Sequence, residues 1–100
     1  MVTKPIAIHY KDPAENLDYS VDWSPALKTG ESVTASSWVI TPKTVGDTTL
    51  LTGITSFGTN GTTIWLSAGT DGGQYDVTNT VVTNQARTFE RTFRIILQQR

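Results

Sequence analysis

Chain-breaking residues recur about every ten positions along this sequence, and the stretches between them alternate apolar and polar side chains in twos. The breaks fall at Pro5 and Pro13, at Ser24-Pro25, at Lys28-Thr29-Gly30-Glu31, at Thr41-Pro42, at Gly58-Thr59-Asn60-Gly61 and across Gly69 to Gly73. No window sustains the helical period of about 3.6, so the chain has too little uninterrupted sequence for anything but short strands. Threonine, valine, isoleucine and the aromatics fill those strands, and such side chains suit a pleated, half-buried surface. The spacing predicts an all-β sandwich or small barrel.

The clearest strand is Leu17-Asp18-Tyr19-Ser20-Val21-Asp22-Trp23, apolar on one face and polar on the other. Val33 to Ile40 is the second, with Trp38 and Ile40 on one face, and Thr48 to Phe57 is a long strand expected to bulge at Gly53. Asn60-Gly61 between apolar runs predicts a hairpin closed by a type I′ turn, in which both central residues take positive φ. Its partner strand, Thr62 to Ala68, turns Ile64 and Leu66 inward and Trp65 outward. Tyr75 to Thr83 keeps Tyr75, Val77, Asn79 and Val81 in register. Arg87 to Gln98 carries Phe89, Phe93, Ile95 and Leu97 inward, with Arg91 interrupting that face and so expected near an edge or beside an acid. Gly72-Gly73-Gln74-Tyr75-Asp76-Val77 has the form of a tyrosine corner, the phenol inward and its hydroxyl serving a backbone group. The expected architecture is an immunoglobulin-like or fibronectin-III-like β-sandwich of six to seven strands, residues 17–100, behind an extended N-terminal arm, residues 1–16. Ile6, Ile8 and Tyr10 alternate within that arm, and prolines 5 and 13 bar it from a central position because each removes a backbone donor. It is expected to lie on an edge, its own or a neighbour's, where it can add a strand. Deleting residues 1–10 is then expected to leave the domain folded and to weaken assembly.

At 100 residues the chain is one domain with a thin core, burying only about 60–65% of its unfolded surface. It has no cysteine, which removes disulfides, thiolate nucleophiles and cysteine metal sites together. The formal net charge of −1 offers no basic face for nucleic acid, and no stretch is apolar enough to span a membrane. Acids crowd the first half (Asp12, Glu15, Asp18, Asp22, Glu31, Asp47), while every arginine lies at or beyond Arg87. Such segregation suits contacts between copies in a ring, or neutralisation within one domain.

The residues of catalysis are missing from the pattern. His9 stands alone in the arm, without an orienting partner or a walled pocket, and is expected to be solvated. Asp18, Ser20 and Asp22 share a strand face but supply too few oxygens for calcium, which takes about six. Neither a nucleophile elbow nor a phosphate loop is present. No cofactor, metal or catalytic residue is assigned, and the chain is read as no enzyme.

Lys11-Asp12-Pro13-Ala14-Glu15-Asn16-Leu17-Asp18-Tyr19-Ser20-Val21-Asp22-Trp23 resembles the opening motif of small virion proteins of tailed bacteriophages, the phage fibre–tail adaptor type. Ser37-Trp38-Val39-Ile40, Thr62 to Thr70, Tyr75 to Asn79 and Arg87 to Arg94 continue the similarity, which omits residues 1–10 and departs from the pattern between Val39 and Val45. The resemblance implies a structural protein of tail or neck, present in several copies around the tail axis, with no catalytic residues to transfer. Its partners would be other tail, neck or fibre proteins and further copies of itself. A head decoration protein and a carbohydrate- or receptor-binding module, the latter using Trp65 as its platform, are the competing readings. Ile6, Ile8, Tyr10, Trp65, Arg91 and Arg94 are the expected partner-binding residues.

Overall fold

The computed structural model describes residues 7–99, which form seven strands and one 3-10 turn. The strands are β1 (Ile8–Lys11), β2 (Leu17–Asp22), β3 (Val33–Pro42), β4 (Leu50–Phe57), β5 (Gly61–Ala68), β6 (Gln74–Thr83) and β7 (Thr88–Leu97). They lie in a four-stranded sheet ordered β1-β7-β6-β3 and a three-stranded sheet ordered β2-β5-β4. All pairings are antiparallel except β1 with β7. The alternation read from the sequence sets which side chains face between the sheets. Val21, Ile64 and Leu66 from one sheet meet Tyr75, Val77, Val81, Phe93, Ile95 and Leu97 from the other.

Residues 8–11 take the chain's own edge rather than standing clear of the domain. Ile8 and Tyr10 point outward, whereas Lys11 is fully buried and His9 packs its ring 5.1 Å from Tyr19 and 5.7 Å from Phe93. The His9 side chain is exposed, as expected, with its ring resting against Tyr19 and Phe93 from the solvent side. Lys11 is tolerated inside because its ammonium donates to the carbonyls of Asp12 and Ala68, each at 2.9 Å. Burial lowers its pKa from the ordinary lysine value, opposed by the nearby charges of Glu15 and Asp12. A deletion through residue 10 would remove three of the four residues of this edge strand.

The bulge expected at Gly53 is present: the β4–β5 register slips between Thr52 and Thr55. A Cβ at Gly53 would stand 3.3 Å from that of Trp65, so a glycine here lets β4 pass close to the Trp65 backbone. The hairpin between β4 and β5 also forms where expected, but its turn is not type I′. Positive φ among the described non-glycine residues occurs only at Ala68 and Ala86, and among glycines at Gly30, Gly46, Gly69 and Gly72. The loop answers instead to tertiary hydrogen bonds, since the carbonyls of Asn60 and Thr59 accept from the amides of Trp23 and Val33, both at 2.8 Å.

Two polar clusters tie the layers together. Trp23 is fully buried beyond the end of β2, and its indole N–H donates to Asn79 Oδ1 (3.0 Å) and Thr62 Oγ1 (3.3 Å). Thr62 donates to the same Asn79 oxygen at 2.6 Å, and Asn79 Nδ2 donates to Ser36 Oγ and the Ser37 carbonyl, both at 2.9 Å. Every hydrogen-bonding site of the Asn79 amide is filled, which is the condition for keeping such a group in a core. The second cluster is the tyrosine corner. Buried Tyr75 accepts from the Thr70 amide at 3.0 Å and donates to Asp47 Oδ2 at 2.6 Å. A Cβ on Gly73 would meet that hydroxyl at 2.8 Å, which is why glycine leads into the strand.

Glu31, read from the sequence as a turn residue, is buried after the turn closed by its amide on the Lys28 carbonyl. Its carboxylate accepts from Thr83 Oγ1 at 2.6 Å, from the Lys28 amide at 2.9 Å and from Arg87 at 3.1 Å. The Thr83 hydroxyl bond is the largest cause holding its pKa below the ordinary glutamate value of 4.5. The unfolded chain therefore binds a proton on Glu31 at a higher pH than the folded one does. Its contribution is complete above the ordinary value and is lost as pH falls through the lower folded value.

Two outcomes follow for the scaffold. Asn79→Ala removes the acceptor of the buried Thr62 hydroxyl and the shorter of the two acceptors of the Trp23 N–H, and should lower unfolding free energy by about 3 kcal/mol, read as a shifted urea midpoint. Urea midpoints measured from pH 6 downward should fall below about pH 4.5 in the parent chain, and Glu31→Gln should show a shallower fall over that window.

Candidate interaction surfaces

The segment that dominates the family resemblance is spent on folding. Asp12 Oδ1 accepts the Ala14 amide at 2.8 Å, and Glu15 Oε1 accepts the Asp12 amide at 2.8 Å, closing the turn between β1 and β2. Asp22 takes both the amide (3.0 Å) and the hydroxyl (2.6 Å) of Ser24, starting the 3-10 turn at Ser24–Ala26. The hydroxyl bond is the main cause holding the Asp22 carboxyl below its ordinary pKa. Asp47 is depressed likewise, first by Thr49 and then by Tyr75. These carboxylates hold local backbone rather than gathering at a site.

Two arginines find acids within the molecule, and of those acids only Glu31 belongs to the acidic first half. Arg87 pairs with Glu31, and Arg94 pairs with Asp76 directly opposite it on β6, with N···O distances of 2.8 and 3.3 Å. Among the described residues no acid pairs with Arg91, which lies on the part of β7 before its pairing with β1 begins at Arg94. It turns toward the interior and lies over the Trp23 ring, 5.1 Å from its centroid, covering the indole of the inter-sheet bridge.

Exposed apolar side chains stand on the outer faces of both sheets. On the outside of the four-stranded sheet, Ile8 and Tyr10 are each 54% exposed and stand opposite Arg94 and Ile96. The Arg94–Asp76 pair borders this cluster with its charges already matched. On the outside of the three-stranded sheet, Trp65 is 37% exposed beside Leu51 (53%) and Ile54 (75%). Asn16, Gly53, Ile54, Trp65 and Ser67 line a shallow depression of about 360 Å³ there. A second groove, of about 350 Å³, runs beside β4 between Ser36 of β3 and Thr55, Ser56 and Phe57.

Of the residues expected to bind partners, Ile8, Tyr10 and Arg94 are brought together on one face and Trp65 is placed on the other. Arg91 is turned inward, and Ile6 lies outside the described residues. Sequence reading missed Leu51, Ile54 and Phe57, which it placed on a strand without seeing that the strand is an exposed edge. A signal was available, because no charged residue occurs between Asp47 and Asp71. An uncharged stretch of that length needs cover from something.

Among the described residues no helix is long and apolar enough to cross a membrane. No curated protein matches the chain. The model of one family, described as podophage GP4 fiber-tail adaptor protein gp77, matches residues 11–96, from buried Lys11 to Ile96 on the outer face of β7. With that match spanning nearly the whole sandwich, the chain belongs to the gp77 family of podophage fibre–tail adaptor proteins.

Proposed function

We propose that this chain is a structural connector of the virion that joins tail or neck to fibres through protein–protein contacts, in several copies around the tail. The observation that carries this reading is the pair of exposed apolar clusters on opposite faces of one rigid sandwich. A connector must hold two partners at once, and Ile8 with Tyr10 on one sheet and Leu51, Ile54 and Trp65 on the other give it two separate surfaces. Uncharged or internally neutralised surfaces of this sort favour contacts made by apolar packing over ion pairing. We read the sandwich as immunoglobulin-like, because β2-β5-β4 facing β7-β6-β3 follows the B-E-D against C-F-G pairing of that fold, and Tyr75 makes its corner. The role so described is mechanical, with no reaction assigned to any residue.

The test uses particles that lack this protein, mixed with purified chain and then with fibres. The parent chain should load in a small fixed number of copies, six or twelve, and restore fibre attachment. Tyr10→Asp alters the first face and Trp65→Thr, which keeps a strand-forming residue in the central strand β5, alters the second, each confirmed folded by its urea midpoint. One variant should fail to load, and the other should load without capturing fibres. Full loading and fibre capture by both would overturn the assignment of the two faces. Loading in hundreds of copies would move the protein to the head.

A further inference from the structure

Four strands end the two sheets, and three of them are guarded. β1 is only four residues long and runs into Asp12-Pro13; β2 carries Asp18 and Asp22 and is followed by Pro25; β3 has a register slip between Val33 and Ala35 and closes on Pro42-Lys43. Charges, prolines, bulges and short length are the devices that keep sheet edges from pairing. β4 is eight residues long, without charge or proline, and its side chains are exposed from Leu51 to Phe57. Its one irregularity is the bulge at Gly53-Ile54.

That bulge makes the strand symmetric about its own centre. Thr52, Thr55 and Phe57 stand opposite the buried Leu66, Ile64 and Thr62, so they and Leu50 share the inward direction. Leu51 and Ser56, opposite Ser67 and Thr63, point outward, as does exposed Ile54 beside Trp65. Read from either end, the facing order is in, out, in, bulge, in, out, in. Two such strands laid antiparallel match face for face, with Leu50 against Phe57, Leu51 against Ser56 and Thr52 against Thr55. Such a two-fold contact brings the residues next to its axis near their own twins, so a charge there would meet a like charge. The stretch from Thr48 to Thr70 carries none.

We propose that the free edge of β4 pairs antiparallel with β4 of a second copy, joining two three-stranded sheets into one of six strands. Leu51, Ile54 and Trp65 of both copies then form one continuous apolar strip beside the new ladder. The inference stands on the edge itself and does not depend on which virion proteins the chain contacts.

Sedimentation of the purified chain over a concentration series should show a monomer–dimer equilibrium. Ile54→Lys places two ammonium groups at the two-fold and should weaken dimerisation at least about tenfold, while Val82→Lys, on the outer face of the other sheet, should leave it unchanged. The chain has no cysteine of its own, so the double variant Thr52→Cys, Thr55→Cys should form an interchain disulfide on oxidation, and Thr52→Cys alone should not. A chain that stays monomeric up to about 1 mM, a dimer indifferent to Ile54→Lys, or failure of the double variant to cross-link would each overturn the proposal. A monomer would leave the connector reading standing, because that reading is judged on particles.

Discussion

The sandwich depends on one buried contact, the Trp23 indole held between Thr62 of one sheet and Asn79 of the other. A domain of this size has little apolar area with which to hold two sheets in a single alignment, and it has no disulfide to do so. The tryptophan supplies a large buried surface, and the two polar side chains fix its orientation, because each of their hydrogen-bonding groups has only one arrangement that satisfies it. Asn79 also reaches Ser36 and Ser37 on β3, so the same amide sets the position of the neighbouring strand. Arg91 covers the ring from the open end of the sandwich.

Around that bridge, the polar residues that look available in the sequence are already committed. Asp12, Glu15, Asp22, Glu31 and Asp47 each accept backbone or hydroxyl donors, and two of the arginines neutralise acids within the fold. Exposed apolar side chains remain on the outer faces of both sheets.

Much of the fold was legible because strand periodicity is a local property. The alternation in residues 17–23, 62–68 and 75–83 and the break residues between them locate strands without reference to the rest of the chain. The bulge at Gly53 and the corner at Tyr75 were legible for the same reason, since each is written in a few adjacent residues. The Asn60-Gly61 turn was misjudged because its backbone is set by Trp23 and Val33, residues far away in sequence. Buried Lys11 and buried Glu31 were illegible too, because a polar side chain is tolerated inside only once distant carbonyls or hydroxyls surround it. The exposed edge at β4 escaped notice since an apolar strand in the middle of a sheet and one at its border read alike.

The sequence by itself determined the class of fold, the positions of most strands and the want of any disulfide, because alternation, turn chemistry and composition act over a few residues at a time. Tertiary structure alone decided which strands became edges, which charges were neutralised at home and which apolar side chains were left on two opposite faces. Those outcomes turn on pairings between residues tens of positions apart, such as Glu31 with Arg87 and Trp23 with Asn79, and no local pattern encodes them.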